Sequence, residues 1–123
     1  MGTILVVEDE RDLAVTCERL LRRVGWRVVT AGTREEALLA LAGTPHPALA
    51  IVDRQLPDGD GLDVLRAALA VGTPVIMVTG YGSAATRRLT LDEGAAGFLA
   101  KPFSSNELLA LVRTVAGNGP GIH

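Results

Sequence analysis

The sequence predicts an α/β fold in which helices cover both faces of a parallel sheet. Three observations carry this. Five short runs rich in Val, Ile and Leu alternate with five segments of helical periodicity. The runs are apolar at nearly every position, the pattern of strands buried on both faces. Finally, hydrophobic residues make up 48% of the 123 residues but aromatic ones only 3%. The core must therefore be built from Leu, Val, Ile and Ala, and a chain of this length buries roughly two-thirds of its unfolded surface.

Each element has a local reason. TILVV, Thr3 to Val7, reads as a buried strand. Leu13, Cys17, Leu20, Leu21 and Val24 recur at helical spacing, and Gly25 supplies the stop. WRVVTA, from Trp26, is the second strand, and its tryptophan is expected only to pack. Thr33 and Glu36 form a capping-box pair ahead of Ala37, Leu38 and Leu41, and TPHP, Thr44 to Pro47, then breaks the chain. ALAIVD, Ala48 to Asp53, is the third strand, and Leu62, Val64, Leu65 and Leu69 mark the third helix. PVIMVT, Pro74 to Thr79, is the fourth strand. A weaker helix runs from Ser83 to Glu93 and ends at Gly94. GFLA is the fifth strand. Ser104 with Glu107 caps the last helix, which carries Leu108, Leu109, Leu111 and Val112. The whole, 1–123, reads as one domain with a core from 3 to 116 and a flexible tail over 117–123.

Composition excludes several classes. Net charge is -2 with acids and bases interspersed, which leaves no electrostatic footprint for nucleic acid or an anionic membrane. No apolar run approaches the ~20 residues that span a bilayer. The N-terminus lacks the pattern of a secretory signal. Cys17 is the one cysteine and lies on an apolar helical face, so no disulfide is expected and a cytoplasmic setting is.

In sheets of this kind, sites lie beyond the carboxyl ends of the strands. Those ends carry Glu8 and Asp9, Asp53, Thr79 and Lys101; the second strand alone ends without a reactive group. Three carboxylates in one pocket repel, at about 4 kcal/mol per pair for ~4 Å and an effective dielectric of ~20. A divalent cation removes that cost, and oxygen ligands with room for water suit Mg²⁺. Thr79 offers a hydroxyl, and Gly80 beside it would let a ligand approach the backbone. A cation, a lysine, a hydroxyl and backbone amides are what a phosphoryl group needs to be held, and a carboxylate among them can be its nucleophile. Lys101 is the only lysine beside eleven arginines. A compact ammonium fits a tight oxygen site where a flat guanidinium does not.

VVEDE, IVDRQLPDGDG, MVTGYG and FLAKPF, read together, make the chain similar to bacterial response-regulator receiver domains over Thr3 to Ala116. The resemblance implies a flavodoxin-like (βα)5 doubly wound fold with strand order 2-1-3-4-5. It implies Asp53 as phosphoacceptor, Asp9 as a direct Mg²⁺ ligand, Glu8 acting through water, and the backbone carbonyl of Gln55 as a further ligand, with Mn²⁺ able to substitute. It implies that Thr79 and Lys101 bind phosphoryl oxygens and that Phe98 turns inward as Thr79 moves. It implies a cis bond before Pro102. The implied donor is a histidine kinase or a histidine phosphotransfer protein. The implied output is a protein target or a linked effector domain, reached through helix four, strand five and helix five, a face that also mediates homodimers in such proteins.

Some positions depart from the pattern. Arg54 stands where receivers often have an apolar residue, and is expected to face solvent, with Asp58 as the alternative partner. Gln55 and Tyr81 flank the expected phosphoryl position; Tyr81 either shields the acyl phosphate and slows hydrolysis or is an exposed loop residue. Phe98 has no hydroxyl, so its switching would rest on burial. Helix four has few large apolar residues, Leu89 and Leu91, which fits either a mobile output face or a plain surface helix. Other classes fare worse. An aspartate-nucleophile phosphatase needs an acid where Gln55 stands. A flavin carrier needs a Ser/Thr-rich loop where Glu8, Asp9 and Glu10 stand. A receiver-like module that no longer takes phosphate remains as a third reading.

Overall fold

A computed structural model describes residues 2–80 and 84–117. Tyr81, Ser83 and the tail beyond Gly117 lie outside the described residues, so the expectations placed on them are not addressed by the structure. Five parallel strands form the sheet: β1 (Thr3–Val7), β2 (Arg27–Ala31), β3 (Leu49–Asp53), β4 (Val75–Thr79) and β5 (Gly97–Ala100), ordered β2-β1-β3-β4-β5. This is the expected 2-1-3-4-5 order. β2, β3 and β4 each start one residue later than the sequence suggested, at Arg27, Leu49 and Val75; the Ala48 N–H and the Pro74 carbonyl still bond to the neighbouring strands, at Thr3 and Ala50.

Helices α1 (Arg11–Arg23), α2 (Arg34–Ala42), α3 (Gly61–Ala70), α4 (Ala84–Asp92) and α5 (Ser105–Ala116) complete the fold. Strand side chains alternate between faces with period two. Leu5, Val7, Ala50, Val52, Val75 and Met77 pack with α2 and α3, while Ile4, Val6, Leu49, Ile51, Ile76 and Val78 pack with α1 and α5. Trp26 and Cys17 both lie buried in the second layer, as expected.

The caps differ in detail. Ser104 and Glu107 make the full reciprocal box on α5. On α2, Thr33 Oγ1 accepts from the Glu36 N–H at 3.1 Å, but Glu36 Oε1 accepts from the Gly32 N–H at 3.0 Å, one residue upstream of the expected donor. A second cap on α2 comes from far away in sequence. Asp58 accepts the N–H groups of Arg34 and Glu35 at 2.6 and 3.0 Å. The Arg34 N–H is the main cause holding the Asp58 carboxyl below its ordinary range.

α4 buries a polar residue rather than its leucines. Leu89 and Leu91 are both exposed, and the residue that faces the sheet is Thr90, whose hydroxyl donates to the Thr86 carbonyl at 2.8 Å. Consecutive helical residues point about 100° apart, so burying Thr90 turns both leucines outward.

Candidate functional site

Parallel register brings the reactive residues to one end of the sheet. Asp53 pairs with Val78 and Thr79 with Ala100. The ladder continues one step past the strands: the N–H groups of Glu8, Arg54 and Lys101 donate to the carbonyls of Ala31, Val78 and Thr79 at 2.9, 2.8 and 2.8 Å. These bonds fix the backbone where the chemistry-bearing side chains leave it. By the alternation of each strand, Glu8, Asp53 and Lys101 continue the α1/α5 face, while Thr79 and Phe98 continue the other.

Three carboxylates meet there. Glu8, Asp9 and Asp53 each offer an oxygen within 4.8 Å of the others, with Glu8 and Asp53 buried and Asp9 exposed. Lys101 Nζ lies 2.7 Å from Asp53 Oδ2 and 2.8 Å from Glu8 Oε1. The lysine thus bridges two acids. Burial alone would pull its ammonium down, but the two carboxylates outweigh that and raise its pKa. The remaining Asp53 oxygen, Oδ1, accepts the Gln55 N–H at 2.9 Å. The Lys101–Pro102 and Thr44–Pro45 peptides are cis.

Glu8 carries the electrostatic strain. Burial pushes its carboxyl from 4.5 up to about 7, against hydrogen bonds from Lys101 and the Glu10 N–H, and the Asp53 charge adds to the rise. One lysine does not fully compensate this acid pocket. An oxygen-only donor set with surplus negative charge fits a hard divalent cation. A groove of about 500 Å³, lined in part by Asp9, Arg11, Glu18 and Glu36, opens onto the cluster. A second, of about 380 Å³, runs beside Lys101 between Leu13 and Phe103.

The pH consequence has a definite sign. A raised carboxyl pKa means that the fold favours protonated Glu8. This contribution to stability is complete below about 4.5 and is lost as pH rises through about 7. Cation binding needs the ionised form. The thermal stabilisation given by Mg²⁺ is therefore expected to grow between about pH 5 and pH 8. A Mg²⁺ effect flat across that range, measured by thermal melts, would contradict this account of Glu8.

The loop after Asp53 is built by features the sequence reading missed. Gln55–Leu56 and Gly59–Asp60 form a small antiparallel ribbon, and Asp60 caps α3 through the Leu62 N–H at 2.9 Å. Arg54 does pair with an acid, but with Asp60 at 3.6 Å, because Asp58 is engaged at α2. Gly61 is required by close approach. A Cβ there would stand 2.2 Å from the Asp53 carbonyl oxygen and 2.9 Å from the Arg54 Cα. Gly61→Ala must displace the backbone of Asp53 itself and is expected to cost about 3 kcal/mol, the upper part of the overpacking range. Urea denaturation measures it; a loss under about 1 kcal/mol would show the loop to be pliable. Gly80 differs: among the described residues, a Cβ there meets nothing within 4 Å. Phe98 is half-buried against the α2/α3 layer, and Thr79 Oγ1 lies 3.4 Å from Gln55 Oε1.

Comparison with known proteins decides the family. The response regulator receiver domain model matches residues 4–113. The chain belongs to the response regulator receiver family. As a receiver it is similar to the transcriptional regulatory protein CpxR of Escherichia coli, at 38% identity over 94% of the chain and 49% of the relative. It is similar also to the transcriptional regulatory protein TcrA of Mycobacterium tuberculosis, at 37% identity over 95% of the chain and 47% of that protein. The chain thus spans about half the length of these curated relatives. The non-phosphorylated HemR receiver domain from Leptospira biflexa superposes with a TM-score of 0.87 at 30% identity, over the full length of both chains. The receiver is a module of two-component signalling. Its acidic cluster is of the kind that serves phosphoacceptance and Mg²⁺ binding in the family. Among the described residues, no helix is long and apolar enough to cross a membrane.

Proposed function

We propose that this receiver takes a phosphoryl group onto Asp53 from a histidine kinase or a histidine phosphotransfer protein, and that the change is read on the face formed by α4, β5 and α5. The observation that supports this most is the gathering of Glu8, Asp9 and Asp53 within 4.8 Å, with Lys101 across two of them. An Asp53 oxygen attacks phosphorus, the phosphorus–nitrogen bond of the donor phosphohistidine breaks, and the imidazole leaves with the bonding pair and takes up a proton. Glu8, Asp9, Asp53 and the Gln55 carbonyl would hold Mg²⁺, or Mn²⁺ in its place. The bound cation supplies charge compensation to the transferring group. Lys101 and Thr79 take the phosphoryl oxygens, and Phe98 turns inward as Thr79 moves. Pro102 shapes the turn that carries Lys101.

The chain 1–123 is one receiver unit acting in the cytoplasm, with no catalysis on a separate substrate and no direct contact with nucleic acid or membrane. Its output is a protein target or a linked effector domain; the names of the relatives, about twice as long, favour the latter. Homodimers through α4, β5 and α5 fit the exposed Leu89 and Leu91. Intact mass after incubation with acetyl phosphate tests the central step. One hydroxylamine-labile phosphoryl adduct that forms only with Mg²⁺ is expected. Mg²⁺ binding without any adduct would leave a receiver that takes phosphate only from its kinase, or a module that works without phosphate.

A further inference from the structure

Gln55 touches the site in more ways than its place beside Asp53 requires. Its N–H donates to Asp53 Oδ1 at 2.9 Å, and its side-chain Oε1 accepts from the Thr79 hydroxyl at 3.4 Å, across 24 residues of sequence. The ribbon holds it in place. Gln55 pairs with Asp60, Leu56 is buried at 9% exposure, and the turn between the ribbon strands is pinned to α2 through Asp58. The amide is thus presented to Thr79 from an anchored backbone.

We propose that Gln55 is a positioning residue: its side-chain amide holds the Thr79 hydroxyl in the resting orientation, and this bond must break for Thr79 to reach a phosphoryl group on Asp53. The proposal rests on the reading of Thr79 as a phosphoryl-binding residue. A hydroxyl has one proton to donate. It cannot serve Gln55 Oε1 and a phosphoryl oxygen together. A contact made only in the resting state biases the switch by its own strength. At 3.4 Å this is a long neutral hydrogen bond, so the bias is at the weak end, about twofold. The same loop that carries the acceptor therefore also sets the threshold for the response.

Beryllofluoride with Mg²⁺, a stable mimic of an acyl phosphate, separates switching from hydrolysis. Gln55→Met keeps the length of the side chain and removes the acceptor. It is expected to raise the apparent affinity for beryllofluoride about twofold. It should also move the ligand-free amide resonances of Thr79 and Phe98 toward their bound positions. In a Thr79→Val background, which lacks the hydroxyl, the same change should give no further gain. Gln55 is exposed, so thermal melts should show the fold unchanged. Affinity and resonances equal to wild type would overturn the proposal, as would an equal gain in the Thr79→Val background. A wild type that fails to respond to beryllofluoride would overturn the phosphoacceptor reading itself, and the proposal with it.

Discussion

Asp53→Asn is expected to abolish the phosphoryl adduct completely while leaving the fold intact. Both halves follow from the surroundings of the carboxylate. Asp53 is 4% exposed, with one oxygen receiving the Gln55 N–H and the other facing the Lys101 ammonium. An asparagine has the same shape and can still accept the Gln55 N–H. Its amide nitrogen then faces Lys101, which retains Glu8 at 2.8 Å. One negative charge leaves a crowded acidic pocket, so the stability of the cation-free protein should change little or rise. What vanishes is the proposed nucleophile, because a neutral amide does not displace an imidazole or acetate from phosphorus. Intact mass and urea denaturation on the same sample read both halves. An adduct that persists in a folded Asp53→Asn protein would move the acceptor elsewhere.

Lys101 is expected to give the second large effect, and the two substitutions there separate its roles. Lys101→Met leaves Glu8 and Asp53 buried without their cation. Stranding a buried charge costs about 3–5 kcal/mol. The Lys101 side chain is 24% exposed, which places the expected loss near the low end, about 3 kcal/mol at alkaline pH. The loss should shrink as pH falls, because Glu8, whose carboxyl burial already raises to about 7, then takes up a proton, and it should shrink on adding Mg²⁺. Equal losses at about pH 5 and pH 8, measured by denaturation, would show the lysine to be a packing group only. Lys101→Arg keeps the charge and should keep most of the stability. A flat guanidinium does not fit between two carboxylate oxygens that an ammonium meets at 2.7 and 2.8 Å. The switch response to beryllofluoride is therefore expected to be impaired in this variant. A normal response would remove the reason for a lysine at this position.

The sequence by itself determined the fold class and its five strand–helix units, because burial on both faces demands unbroken apolar runs in the central strands β1, β3 and β4 and amphipathic helices show their own period. It also determined which residues stand at the carboxyl ends of the strands. That sufficed to bring Glu8, Asp9, Asp53, Thr79 and Lys101 under suspicion together, since one parallel sheet gathers its strand ends. The tertiary structure alone decided who meets whom. Lys101 and Asp53 are 48 positions apart, and Gln55 and Thr79 are 24 apart. Periodicity fixes which face a residue takes, but not the register of one strand against the next. The ribbon after Asp53, with Asp58 reaching α2 and Asp60 taking Arg54, has strands of two residues each, too short to carry a period. The rise of Glu8 to about 7 was equally hidden. It comes from removing water around a carboxylate, and only the packed chain determines where water is excluded.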